Sequence, residues 1–354
     1  MGNGKSRVAV ILLTYNTLSK LKGKFVKLTI ESILRQDYPN LTLIVVDNNS
    51  RDGTIDHIRK LLSRRSHIDF RIVRLPRNYG YTGGNNRGAV YSIFHGAELL
   101  FFMNDDVILL DRDLISVLSK RLEEQEDLGA VQPLIINRDG SLNCGFKVGL
   151  SSIPKMSSDG EGIFYVSGAA LLTRARTFLE AGMFDQDFLI YHDDVDYAWR
   201  LRLMGYRVEC VKNVRAYHVG SATLGAESSK FYYFTLRNAV WSIAKNSSMS
   251  MLIPRLTLLF FEDFISFTLH QIIVRRNPAS AKACILGLVD GVKGLSTAIS
   301  KRLLVQKVRK ASEKRINNAM DARVDAELLF PKTLRRIFAK GKRVEKSWAL
   351  RSLS

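Results

Sequence analysis

Leu99-Leu100-Phe101-Phe102-Met103-Asn104-Asp105-Asp106 is the stretch whose reading decides the fold. Five apolar residues in a row read as a strand buried on both faces, and three polar residues end it abruptly. In open α/β sheets, ligands bind outside the carboxyl ends of the strands. An acidic pair at such an end repels a phosphate unless a divalent cation lies between them, and hard cations such as Mg²⁺ take oxygen ligands of this kind. The tripeptide therefore points to a metal-held phosphate compound. The plainer alternative is that Asn and Asp end strands because they make turns.

Working outward, the same pattern recurs. Arg7 to Leu13 is a β-branched, apolar run that ends at Thr14-Tyr15-Asn16, and Leu41 to Val46 is a second one, ending at Asp47-Asn48-Asn49-Ser50. Helical spacing occupies Lys24 to Arg35 and Thr54 to Leu62, with a short strand at Phe70 to Arg74. Pro76 to Arg87 reads as a Gly- and Asn-rich loop, followed by a helix over Gly88 to His95. This alternation of strand and helix predicts a parallel, doubly wound sheet over the first 110 residues. The next segment, Asp111 to Ser221, is mixed. It predicts a strand over Ile163 to Leu172, helix over Phe178 to Ala181, an amphipathic helix over Asp193 to Met204 and a short strand over Arg207 to Val211 that leads to His218. After about residue 225 the chain is helical and basic. The expected division is a catalytic domain over 1–225 and a basic helical region over 226–354, in contact with a membrane surface or another subunit.

A chain of 354 residues with 46% hydrophobic content has enough material for a sizeable core in one large domain or two ordinary ones. Its net charge of +19 is uneven: residues 250–354 hold 21 Lys and Arg against 8 Asp and Glu. That balance suggests an anionic partner, either lipid headgroups or nucleic acid. Cys144, Cys210 and Cys284 are odd in number and widely spaced and show no metal-ligand or disulfide pattern, which predicts a reducing compartment. Met1 to Arg7 leads straight into a strand and lacks the apolar core of a signal peptide, although Met1-Gly2 with Ser6 fits the short myristoylation pattern. Met251 to Val274 is the best membrane-span candidate. It carries Pro254, Arg255, Glu262, Asp263 and His270, and mid-span charges favour a helix lying in the interface instead.

Chemistry can be assigned to four places. The strand ends Thr14/Asn16, Asp47/Asn48 and Asn104/Asp106 fall on one edge of a parallel sheet and line one crevice, where Asp47 is able to accept hydrogen bonds from a base or ribose. The stretch Asn78 to Gly88 is neither a P-loop nor a dinucleotide fingerprint, but its glycines and the following helix N-terminus suit a diphosphate. In Tyr191 to Arg200, three carboxylates within four residues, Asp193, Asp194 and Asp196, exceed what an N-cap at Asp193 requires. One of them facing a pocket would serve as a general base for a hydroxyl. His218 near Gly220 is a further ligand for a carboxylate-bound metal.

Six segments in this order resemble the family 2 glycosyltransferases, inverting enzymes of GT-A fold that use nucleotide-sugar donors: Val10 to Asn16, Ile30 to Pro39, Val45 to Ser50, Asn78 to Gly88, Asn104 to Asp106 and His192 to Arg200. The similarity is closest to the rhamnosyltransferase and galactofuranosyltransferase-like branch and spans about Arg7 to Ser221. It implies an α/β fold with a GT-A type, Rossmann-like mixed sheet flanked by helices, plus a C-terminal helical extension. It also implies roles. Thr14, Asn16 and Asp47 hold the nucleoside. Asn78, Gly83, Asn86 and Arg87 lie near the ribose and diphosphate, and Ser167-Gly168 near the donor sugar. Asn104-Asp105-Asp106 stands for the D-x-D motif, with Asp106 and Asn104 on a Mg²⁺ or Mn²⁺ ion. Asn104 replaces the usual first Asp. Asp194 matches the catalytic base, and His218 matches a metal- or diphosphate-contacting His.

The resemblance implies transfer of a sugar from a UDP-, dTDP- or GDP-linked donor to an acceptor hydroxyl, on a lipid-linked glycan or a surface polysaccharide precursor. With the basic C-terminal third, it suggests a cytoplasmic enzyme, peripheral on an anionic membrane, with an oligomer left open. A sugar-phosphate nucleotidylyltransferase would carry its Gly-rich basic signature at the first strand, where Thr14-Tyr15-Asn16 stands. A non-catalytic protein binding nucleic acid or membrane would not explain ordered acids at strand ends, and no RRM, KH or helix-turn-helix signature is present. A glycan-binding module without activity would have lost the acids.

Overall fold

The computed structural model describes residues 5–21, 23–65, 68–220 and 228–321. Four parallel strands form one half of the main sheet: β1 (Val8–Thr14), β2 (Leu41–Asp47), β3 (Asp69–Arg74) and β4 (Leu99–Asn104), in the order β3-β2-β1-β4. Their register sets the polar ends side by side. Thr14 lies opposite Asp47, Asp47 opposite Arg74, and Leu13 opposite Asn104. The expected parallel arrangement holds to this point.

Beyond β4 the sheet is mixed. The remaining strands are β5 (Val107–Leu109), β6 (Leu128–Asn137), β7 (Leu142–Asn143), β8 (Phe146–Val148), β9 (Pro154–Met156), β10 (Ala170–Arg174) and β11 (Arg207–His218). β10 runs antiparallel to both β4 and β6, while β11 is parallel to β6 and antiparallel to β5. Two expected strands have different bounds. Residues 163–169 are irregular and regular pairing starts at Ala170. β11 continues to His218 through an irregularity between Val211 and Arg215, which breaks the period-two pattern that would have revealed it.

The sheet is covered on both faces, which is why its strands read as unbroken apolar runs. Val8, Val10 and Leu12 of β1 face α2 (Lys24–Leu34), α3 (Thr54–Arg65) and α5 (Leu114–Glu124); a short α1 (Thr17–Leu21) precedes α2 and α4 (Gly80–Phe94) precedes α5. Ala9 and Ile11 share the opposite core with α4, α6 (Ala175–Glu180) and α7 (Asp193–Leu203). α4 corrects one expectation: Gly80 to Arg87 is helix, not loop. Its glycines serve packing. A Cβ on Gly84 would lie 2.5 Å from Leu13 Cδ1, and one on Gly88 would lie 2.7 Å from both Ile11 Cγ2 and Val46 Cγ2. Only a bare backbone lets the helix sit this close to β1 and β2. α7 is also not amphipathic in place, because it is buried nearly all round.

The C-terminal helices are α8 (Ser229–Asn246), α9 (Met249–Val274), α10 (Pro278–Lys293), α11 (Leu295–Lys307) and α12 (Glu313–Ala319). The expected division at residue 225 lies outside the described residues. On either side of it the chain shares one apolar cluster: Val195, Trp199 and Leu203 of α7 pack with Tyr232, Leu236, Val240 and Ile243 of α8. α9 includes two π-helical stretches, Leu259–Phe264 and His270–Val274, and is long and apolar enough by composition to cross a membrane. Its charges nevertheless face the protein. Arg255, Glu262 and Asp263 are buried, whereas Ile253, Phe261, Ile272 and Ile273 are exposed.

Candidate active site

The β1–β2 edge is built from side chains that satisfy the backbone. Thr14 is buried and its hydroxyl donates to Val46 O at 3.4 Å. Asp47 is fully buried. Its Oδ1 accepts from Ser50 N at 2.8 Å, and its Oδ2 lies 3.4 Å from Arg74 Nε. Asn16 adopts a positive φ, and its Oδ1 accepts from Arg51 N at 2.8 Å, which ties the end of β1 to the loop after β2. Asn48, at the same strand end as Asp47, fastens α4 here. Its amide nitrogen donates to Asn78 Oδ1 and Gly80 O, both at 2.9 Å, and its oxygen accepts from Tyr79 N.

Two residues expected near the donor make side-chain hydrogen bonds within the protein. Asn78 Oδ1 accepts from Asn48 and from Gly80 N. Asn86 donates to Phe184 O at 2.7 Å and accepts from Phe184 N at 3.1 Å, which makes it a buried latch between α4 and Phe184. Gly83 is buried under Tyr79. Arg87 stacks its guanidinium 3.5 Å over the Tyr79 ring and donates to Gly83 O.

At the end of β4 the chain turns through Asp105-Asp106 into β5. Asp105 accepts a short hydrogen bond from the Thr17 hydroxyl, a partner that no sequence pattern announces. Antiparallel pairing sets His218 opposite Val107 and brings His218 Nε2 to 3.2 Å from Asp106 Oδ1. Val219 N donates to Asp106 O at 3.0 Å and closes the same corner. Asp106 is buried, and Asn104 and His218 are partly exposed.

These residues suit a hard cation of a particular kind. Among the described residues, no group of three or more His, Cys, Asp and Glu forms a closed metal cage. A Mg²⁺-type ion does not need one, since it binds through one or two carboxylates and takes its other ligands from substrate phosphates and water. Asp106 with His218, and Asn104 on the same turn, is a donor set of that open type.

The three carboxylates of α7 have three different environments. Asp194 Oδ1 accepts from Val195 N at 2.9 Å, and Gly168 N stands 3.5 Å from its Oδ2. Burial pushes its pKa up to about 6, against the pull of those backbone donors. Asp193 is raised well above the usual carboxylate range, by burial first and then by the charge of Asp194. Asp196 goes the other way. Burial opposes its ionisation, but Arg200 and Lys245 hold its pKa down. It pairs with Arg200 at 2.8 Å and with Lys245 at 2.9 Å, and accepts from Asn246 at 2.8 Å. The helix cap itself is His192, not Asp193.

Two further groups meet this site. Tyr81 on α4 donates to Gly168 O at 2.7 Å, and Gln132 Oε1 accepts from Ser167 N at 2.7 Å, so Ser167-Gly168 is held from both sides. A separate cavity of about 600 Å³, lined by Arg7, Tyr38, Arg71 and His95, opens at the opposite ends of the parallel strands and touches none of the candidate residues.

Residues 9–177 match the glycosyl transferase family 2. The chain is 23% identical over 279 residues to a poly-β-1,6-N-acetyl-D-glucosamine synthase of Staphylococcus epidermidis, covering 75% of this chain and 63% of the synthase. It is 24% identical over 225 residues to the low-salt glycan biosynthesis hexosyltransferase Agl10 of Haloferax volcanii, covering 60% of this chain and 70% of that one. Among solved structures, the mannosyltransferase PcManGT from Pyrobaculum calidifontis, in complex with GDP-Man and Mn²⁺, superposes with a TM-score of 0.53 at 18% identity, covering 86% of each chain. TarS 1-349 of S. aureus in complex with UDP superposes with a TM-score of 0.54 at 17% identity, over 91% and 90%. The fold is thus of GT-A type, a mixed curled sheet with flanking helices and a helical C-terminal region.

Proposed function

We propose, from the match of residues 9–177 to glycosyl transferase family 2, that this chain is a glycosyltransferase of that family and moves a sugar from a nucleotide-diphosphate donor to an acceptor hydroxyl with inversion. The juxtaposition of Asp106 and His218 at the end of β4 carries the reading, because it offers an open cation site where the strand ends converge. Nucleotide complexes of GT-A neighbours, one with GDP-Man and Mn²⁺ and one with UDP, support the choice of donor class. Thr14, Asn16 and Asp47 line the nucleoside end, with Gly83 and Arg87 toward the diphosphate. Asn78 and Asn86 hold α4 in place beneath them.

In this mechanism Asp194, ionised above its raised pKa, takes the proton from the acceptor hydroxyl. The oxygen then bonds to the anomeric carbon as the carbon–diphosphate bond breaks on the opposite face, so one displacement inverts the centre and no enzyme nucleophile is required. Mg²⁺ or Mn²⁺ held by Asp106, His218 and Asn104 would supply neutralisation of the leaving diphosphate. Gly168 and Tyr81 keep the base and the sugar-side loop in register.

The same reading puts the protein at the cytoplasmic face of a membrane, with a catalytic unit over 1–225 and a basic helical region over 226–354. The outward faces of α9 to α11 carry Ile253, Phe261, Ile273, Leu303 and Leu304, the last two 78% and 72% exposed. Apolar faces set among basic residues suit an anionic lipid surface. A lipid-linked glycan is then the natural acceptor class, in keeping with relatives that serve polysaccharide and glycan biosynthesis. The test is nucleotide release from a panel of UDP-, GDP- and dTDP-sugars with Mg²⁺ or Mn²⁺, for wild type and Asp194→Asn. Turnover of one donor class that Asp194→Asn abolishes is expected; full activity of that variant would overturn the mechanism.

A further inference from the structure

Asp194 follows a turn that is held from both α4 and α8. The turn that delivers it is Phe188 to His192, and within it Leu189, Tyr191 and His192 all adopt φ of 63°. Non-glycine residues rarely occupy this region, and a cluster of them persists only where the surroundings over-determine it. Here the surroundings are α4 and α8. Arg237 Nη2 donates to Asp187 O at 2.8 Å and to Phe188 O at 3.0 Å. The Asn238 amide nitrogen lies 3.1, 3.0 and 2.8 Å from the carbonyl oxygens of Phe188, Ile190 and Tyr191. Leu189 O accepts from Tyr81 N and Thr82 N of α4. Five consecutive carbonyls therefore each meet a donor. Arg237 Nε also donates to Asn238 Oδ1 at 2.9 Å, which fixes which end of the amide faces the turn.

A second grip lies on the same face of α8, two turns later. Lys245 bridges Asp185 at 2.6 Å and Asp196 at 2.9 Å, and Asn246 donates to Asp196. Asp196 is on α7 just beyond Asp194, so α8 holds the base-bearing segment both before and after the base.

We propose that Arg237 and Asn238 are positioning residues for the base, acting as a clamp that keeps the strained turn in the one conformation that presents Asp194 to the acceptor hydroxyl. The inference rests on Asp194 being the base. Without the clamp the turn relaxes toward ordinary backbone geometry and the carboxylate moves off the acceptor, while the nucleoside end of the site, on β1 and β2, is untouched.

The experiment uses the full chain and the donor that turns over best in the screen. Asn238→Ala is expected to lower kcat about 10- to 100-fold with donor KM and affinity for the free nucleotide within about threefold, because misplacement of a reacting group acts on the chemical step. The acid limb of its pH profile is expected to move, since relaxation of the turn changes how Asp194 sits against its titratable neighbours: Asp193 on α7, Tyr81 on α4 and Tyr165 before β10. Amides of residues 190–195 are expected to exchange at least about tenfold faster, with those of β4 unchanged. Unaltered kcat with an unaltered pH limb, or unaltered exchange, would overturn the clamp. So would a parallel loss of nucleotide affinity, which marks general unfolding. If Asn238→Ala does not fold, Arg237→Lys keeps the charge but cannot hold Asn238 Oδ1 and the two carbonyls at once, and is held to the same outcomes. Asp194→Asn run alongside separates the two ideas. An inactive Asp194→Asn with a normal Asn238→Ala sinks only the clamp, and an active Asp194→Asn sinks the base.

Discussion

His218 Nε2 stands 3.2 Å from Asp106 Oδ1, although one residue ends β11 and the other lies in the turn between β4 and β5, far away in the sequence. Pairing of β11 with β5 makes the contact, so the corner forms only once the sheet is complete. His218→Ala is expected to raise the Mn²⁺ concentration needed for half-maximal nucleotide release by about 10- to 100-fold, the usual range for losing support at a metal site. Asp106→Ala is expected to remove metal-dependent turnover altogether. Cation titration of both variants checks this, and an unchanged Mn²⁺ requirement in both would remove these residues from the cation site.

Asp194 leads to a pH prediction with two opposite signs. As a base it works ionised, so kcat/KM should fall about tenfold per pH unit below a break near pH 6 and level off above it. For stability the sign reverses. A carboxyl with a raised folded pKa contributes stability in its protonated form, which is lost as pH rises through about 6. Asp194→Asn should therefore melt higher than wild type at pH 8, with the gap closing toward pH 4, while its activity is lost.

Lys245 balances two buried carboxylates, Asp185 and Asp196. Lys245→Met leaves both without that cation, and breaking a buried pair in this way costs about 3–5 kcal/mol. Asp185 and Asp196 both have depressed pKa values, Asp185 chiefly because Lys245 and Lys301 outweigh its burial. Their stabilisation is present above the ordinary carboxylate range and is lost as pH falls below about 4. Denaturant melts of wild type and Lys245→Met should thus converge in acid.

Gly88→Ala sets two effects against each other. Helix propensity alone would favour the alanine by about 1 kcal/mol. The added methyl would lie 2.7 Å from Ile11 Cγ2 and Val46 Cγ2, on two stiff β-branched side chains in the sheet. Overpacking of that kind costs about 1–3 kcal/mol, so a net loss of stability is expected on thermal melting.

On the C-terminal surface, Leu303→Glu with Leu304→Glu changes two exposed residues and leaves the shared core intact. Co-sedimentation with phosphatidylglycerol vesicles is expected to fall, and wild-type binding is expected to weaken in high salt. Equal binding by the double variant would turn this face over to a protein partner.

The sequence announced the parallel half of the sheet, but not β5, β6 or β7. Continuous apolar runs ended by Thr14, Asp47 and Asn104 identify three of its parallel strands and the edge they share. It was less informative where tertiary contact overrides local preference. Glycines lower helix propensity, so Gly80 to Arg87 reads as loop until the fit of α4 against Leu13, Ile11 and Val46 is seen. The irregularity near Val211 hid the full length of β11. In α9 the charges argue against an apolar exterior until Arg255 and Asp263 are found facing inward. Arg237 and Asn238 leave no periodic trace at all, because their partners are carbonyl oxygens some fifty residues away.

The grip of α8 on both sides of Asp194 fixes the unit that can be exchanged between relatives. A chimera joined near residue 225 would combine the base-bearing turn of one parent with the supporting helix of another. Fusions that carry α7 through α12 from a single parent keep Asn238, Lys245 and Asn246 with the carbonyls and carboxylate they were fitted to. A junction that parts α7 from α8 is therefore expected to loosen the turn before Asp194, whichever parent supplies the rest of the sheet.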